Sequence, residues 1–133
     1  VVVFHDVVIA DTRRAFRVLE TSHPPVYYIP PSDLKREHVI DAPGASFCEW
    51  KGRASYVTVR VGEWTAERVG WFYADPVPSF APIRDHVAFY AGPMDRVTVD
   101  GEVVRPQPGG FYGGWITSDV VGPFKGEPGT EGW

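Results

Sequence analysis

Apolar residues along this chain come in short runs, and most runs end at Gly, Pro, Asp or Ser. Val1 to Phe4 and Val7 to Ala10 are two β-prone stretches separated by His5-Asp6, a pair suited to a tight hairpin turn. Residues 97–104 repeat the arrangement around Asp100-Gly101, a stronger hairpin signal. Five further runs, Ala15 to Glu20, Val26 to Ile29, Tyr56 to Val61, Arg68 to Ala74 and His86 to Ala91, are equally short and bounded, and each predicts a strand.

A helical pattern is predicted only over residues 32–40, with Ser32 placed to cap, Asp33 in the first turn, and Leu34 and Val39 offered to a core. Residues 75–82 carry prolines at 76, 78 and 82, so this stretch lacks three backbone donors and predicts a loop between strands. The predicted fold is therefore mainly β: one domain of antiparallel strands in two packed sheets, such as a small open barrel, with one short helix.

Period-two alternation sorts the side chains by face. Trp71 and Tyr73 share one side of their strand, and His86, Ala88 and Tyr90 share one side of theirs. If the Pro-rich loop makes the two strands neighbours, Trp71, Tyr73, His86 and Tyr90 form one aromatic surface. That surface is either core or the wall of a pocket.

Beyond Val104 the pattern dissolves into Gly and Pro mixed with Phe111, Tyr112, Trp115, Phe124 and Trp133. The chain thus divides into a β-rich core over residues 1–104 and an extension over 105–133. The extension is too aromatic for a plain linker, and is predicted to pack on the core or on a second subunit.

Composition narrows the function classes. With 133 residues, roughly two thirds of the unfolded surface is buried on folding, enough for a core without disulfides. The five Trp, six Tyr and eight Phe strengthen that core. A formal charge of −4, with both signs interspersed, offers no basic footprint, so no nucleic-acid partner is predicted. No apolar run approaches the roughly 20 residues needed to cross a bilayer, so no membrane partner is predicted either. The opening valines lack a basic n-region and read as a strand rather than a signal peptide. Cys48 stands alone, which excludes an internal disulfide and fits a cytoplasmic location.

Several separated segments resemble one known family. They are Leu19-Glu20 with His23 to Pro30, Cys48 to Tyr56, Trp71 to Pro76, and His86 to Tyr90. Their order and spacing over about residues 2–100 resemble the bacterial and fungal family of domains of unknown function numbered 427, sometimes labelled nucleotidyltransferase. The resemblance implies a compact β-rich fold, of β-tent type, and no established activity. Proteins of that type often hold a structural zinc on two Cys-x-x-Cys pairs, which a chain with one cysteine cannot supply.

The chemistry suggested by the nucleotidyltransferase label finds little support in the residues. There is no Asp-x-Asp, no Gly-Ser pair and no Walker loop. The Gly109 to Gly114 stretch lacks the strand-before, helix-after setting of a phosphate loop. His23, His86 and Cys48 have no ligand-pair spacing, so neither a metal nor a cofactor site is read.

Three functional readings remain. The leading one is a small-molecule-binding domain with a wall of Tyr28, Tyr56, Trp71, Tyr73 and Tyr90, and Glu20, His23, Lys51 and His86 as polar anchors. The second is an enzyme with Cys48 as nucleophile or Lys51 as amine, and His86 or His23 carrying protons. The third is an interaction module that forms a homodimer or docks a partner through its aromatic tail. Strand ends bring the Glu20 to His23 corner, the Cys48 to Tyr56 segment and the two aromatic strands together in the predicted site.

Overall fold

A computed structural model describes residues 1–20, 23–48, 50–108, 113–120 and 122. Twelve strands are described: β1 Val2–Phe4, β2 Val7–Ala10, β3 Phe16–Val18, β4 Val26–Tyr28, β5 Val39–Cys48, β6 Gly52–Val61, β7 Trp64–Phe72, β8 Val87–Phe89, β9 Arg96–Val99, β10 Glu102–Val103, β11 Arg105–Pro106 and β12 Trp115–Ile116. All strand pairs are antiparallel. One sheet runs β10-β9-β1-β2 and another β5-β6-β7-β8, with β3-β4 and β11-β12 as separate pairs. Ile29 and Val87 exchange backbone hydrogen bonds of 2.8 and 2.9 Å, which attaches the β3-β4 pair to the edge of β8. Among the described residues the sheets are open and form no closed barrel.

The hairpin turns follow their residues. His5 and Asp6 both adopt positive φ, 51° and 64°, and Asp100 and Gly101 do the same at 50° and 82°. Two consecutive left-handed residues match the twist of the flanking strands, which explains the two-residue connections.

The helical stretch takes a different form from the one the sequence predicts. Residues Pro31–Asp33 and Arg36–His38 are two single 3-10 turns, interrupted by Leu34 in an extended conformation. Leu34 bridges to Ala10 and is buried, so pairing with β2 overrides helix formation in a segment too short to propagate one. A third 3-10 run, Pro78–Ile83, lies inside the Pro-rich connection.

The main core lies between the two larger sheets. Val2, Ile9 and Val97 of the first meet Val57, Val59, Val69, Val87 and Phe89 of the second. Alternation then puts Tyr56, Trp71, Ala88 and Tyr90 on the opposite face of the second sheet. There a smaller cluster of Tyr28, Ala54, Tyr73, Ile83 and Ala88 is joined by Trp71, Cys48 and Phe80.

The described part of the tail is fastened to this body. Trp115 is 3 % exposed, packs in the main core, stacks on Tyr27 at 5.2 Å, and donates its Nε1–H to the Phe89 carbonyl at 2.9 Å. Phe111, Tyr112, Phe124 and Trp133, also expected to pack, lie outside the described residues.

Candidate functional site

The residues singled out by sequence gather in two places. The first is the end of the β5-β6 hairpin, where the Lys51 N–H closes the turn on the Cys48 carbonyl. Lys51 is buried, its ammonium pairs with the Glu20 carboxylate, and its Nζ lies 5.5 Å from the Phe80 ring. Glu20 is less enclosed than its partner, with 42 % of its side chain exposed against 7 % for Lys51.

Tyr28 and Tyr73 lie beside this pair, their rings 6.3 Å apart. Burial pushes the Tyr28 hydroxyl up to about 12, aided by the nearby Glu20 and Cys48, against the hydrogen bond it accepts from Trp71. Burial raises Tyr73 further, with Tyr28, Cys48 and Glu20 acting in the same direction. Both phenols therefore stay protonated across the physiological range. Glu20, Cys48, Lys51, Tyr28 and Tyr73 thus share one locality, and the two tyrosines are core there rather than an open wall.

His86 makes its contacts elsewhere. Its Nδ1–H donates to the Arg84 carbonyl at 2.8 Å, and its ring lies 5.4 Å from Phe16. His23 is hydrogen-bonded through Nδ1 to the Gln107 amide nitrogen at 3.1 Å, which ties the Pro24-Pro25 corner to the tail.

The second place is a cleft of about 470 Å³ on the same face of the second sheet, lined among others by Tyr56, Arg68, Val69, Tyr90, Gln107 and Gly113. The Tyr56 hydroxyl donates to Ser46 at 2.8 Å, and the Arg68 guanidinium lies over the Tyr56 ring at 4.3 Å. Tyr90 packs on Trp71 with centroids 4.9 Å apart, and burial raises its hydroxyl pKa.

The tail closes this cleft through Gly113 and Gly114. A Cβ on Gly113 would lie 2.1 Å from Trp71 Cη2, and one on Gly114 would lie 2.5 Å from Pro24 Cγ, so only glycines fit this passage. Gln107 secures it from both sides, donating its N–H to the Gly114 carbonyl at 3.1 Å and accepting the Gly114 N–H at 3.3 Å.

Arg68 and Gln107 are the residues that sequence reasoning passed over. Arg68 sits in a bulge of β7 where residues 67–69 face Thr58 alone, a placement set by a register shift with no signature in residue type. A larger, more polar cleft of about 860 Å³ lies near Asp11, Arg13, Arg17, Asp100 and Trp115. Neither cleft is lined by Cys48, Lys51 or His86. Among the described residues no group of three or more His, Cys, Asp or Glu gathers to hold a metal ion.

Open antiparallel sheets with an aromatic face define a small mainly β protein. Residues 1–100 match the family model described as Domain of unknown function (DUF427), and the chain belongs to that family. The match ends before the segment that supplies Gln107, Gly113 and Gly114 to the cleft. No curated protein matches the chain.

Proposed function

We propose that this chain is a small-molecule-binding domain whose ligand occupies the cleft between Tyr56 and Tyr90. The observation that carries the reading is the cleft of about 470 Å³, with tyrosines in its lining and a few polar groups, Arg68 and Gln107 among them. Its volume falls within the roughly 300–1,000 Å³ of organic-ligand sites, and its lining has their usual composition. This moves the aromatic wall from Tyr28 and Tyr73, which are 2 % and 5 % exposed, to Tyr56 and Tyr90.

A thermal-shift screen of wild-type protein against a metabolite panel tests the reading. A ligand at about 100 times its Kd stabilises by roughly 2.7 kcal/mol, a rise of several degrees for a domain of this size. That rise is expected to vanish in Tyr56→Leu and Tyr90→Leu and to persist in Lys51→Met. The opposite pattern would remove the ligand from this cleft.

A second reading, an enzyme built on Cys48 and Lys51, is favoured by the convergence of Glu20, Cys48, Lys51, Tyr28 and Tyr73. In that reading Lys51 exchanges Glu20 for an anionic group of the substrate and holds it beside Cys48. The proton carriers expected for it, His86 and His23, contact Arg84, Phe16 and Gln107 instead, and a loss of all ligand response in Lys51→Met with the fold retained would favour it.

A further inference from the structure

The cation in the cleft narrows the class of ligand. Arg68 has φ +51°, a costly conformation for a residue with a Cβ, and its N–H is held by Thr58 Oγ1 at 3.1 Å. The bulge brings its side chain to the Tyr56 side of the sheet, where the guanidinium stacks on that ring at 4.3 Å. Gly44, at φ +93° in the facing bulge of β5, comes so close that an added Cβ would lie 3.3 Å from Arg68 Nη1. The cation is thus positioned before any ligand arrives, which lowers the entropy cost of binding.

Its charge is also uncommitted. The ion pairs among the described residues are Arg14–Asp33, Arg17–Asp119, Lys51–Glu20 and Arg84–Asp75, and Arg68 belongs to none of them. Stacking occupies the face of a guanidinium and leaves its in-plane N–H donors free, in a fork that matches a carboxylate. Glu67, the other charged residue of the lining, is exposed like Arg68 and unpaired among the described residues, so the cleft carries one cation stacked on Tyr56 and one solvated carboxylate. That balance suits a monoanion better than a polyphosphate.

Resting on the reading of this cleft as the ligand site, we propose that its ligand is a planar organic monocarboxylate, with the carboxylate on Arg68 and the ring against Tyr56 and Tyr90. The test is an NMR titration of the ¹⁵N-labelled chain with benzoate, 4-hydroxybenzoate and indole-3-acetate, each run beside its neutral primary amide at one pH and ionic strength. The acids are expected to shift the amides of Arg68, Val69, Tyr90 and Gly113 saturably, and to bind at least about tenfold more tightly than their amides, the scale of one charge-assisted bidentate contact. Arg68→Met should abolish that preference, and Arg68→Lys should retain only part of it.

Equal binding of acids and amides, or an acid preference that survives Arg68→Met, would overturn the carboxylate assignment and leave the cleft reading standing. No response at these residues to any of the six probes would overturn both. The acid-to-amide comparison on wild-type protein keeps the test decisive if a variant fails to fold.

Discussion

Gly113→Ala tests how the tail closes the cleft. An added Cβ would sit 2.1 Å from Trp71 Cη2, 2.8 Å from Cζ3 and 3.2 Å from Cζ2, against about 3.5–4.0 Å for an ordinary carbon contact. Trp71 cannot easily move aside, because its Nε1–H is bonded to the Tyr28 hydroxyl at 3.3 Å and its ring packs on Tyr90. The tail must lift instead, which strains the two Gln107–Gly114 hydrogen bonds. Overpacking of this kind costs about 1–3 kcal/mol, and the strained Gln107–Gly114 hydrogen bonds put this site in the upper part of that range, so a loss of about 2–3 kcal/mol is expected. Urea unfolding followed by tryptophan fluorescence measures it, and the melting temperature should fall by roughly 6–12 °C. Gly92→Ala is the control, since nothing lies within 4 Å of its Cβ position, and it should stay within about 0.5 kcal/mol of wild type. A Gly113→Ala protein as stable as that control would refute the close packing of tail on Trp71.

Other predictions concern the Lys51 end. Glu20→Gln leaves a buried ammonium without its counter-charge and should destabilise by about 1–3 kcal/mol, below the cost for a fully buried pair because Glu20 is half-exposed, whereas Lys51→Met should be near neutral in urea unfolding. Tyr28 holds its proton up to about 12 in the folded chain and releases it near 10 when unfolded, so its contribution is complete below pH 10 and lost as pH rises toward 12. Roughly 2–3 kcal/mol of stability should disappear over that window, and Tyr28→Phe should lose correspondingly less. Cys48 is half-buried against the tyrosine cluster, so iodoacetamide at pH 7 should alkylate it no faster than in the urea-unfolded chain; faster reaction in the folded state would favour the enzyme reading.

Turn chemistry made much of the fold legible. His5-Asp6 and Asp100-Gly101 mark their hairpins because only certain residues tolerate paired positive φ. The shared face of Trp71, Ala88 and Tyr90 followed from the period of two once β7 and β8 are neighbours, whereas His86, expected on the same surface, contacts Arg84 and Phe16. What stayed hidden depended on partners distant in sequence. β5 is interrupted by Pro43 and Gly44 at a bulge and exposes most of its side chains, so it shows no apolar alternation, and its start was absorbed into the predicted helix. Leu34 has the spacing of a helix residue, yet pairing with Ala10 draws it into an extended bridge. The convergence of Glu20 with Lys51 and Cys48 was legible from their positions at strand ends. The Arg68 cleft was not, because it needs the β7 bulge and a tail that arrives from 40 residues further along the chain.

The central claim is that the cleft between Tyr56 and Tyr90 is the ligand site. A crystal structure of the chain with the best ligand from the metabolite screen tests it most directly. The account predicts ligand density between those two rings, in contact with Arg68 and beneath Gly113. Density beside Cys48 and Lys51, or in the polar cleft near Asp11 and Asp100, with the Tyr56–Tyr90 cleft empty, would contradict it.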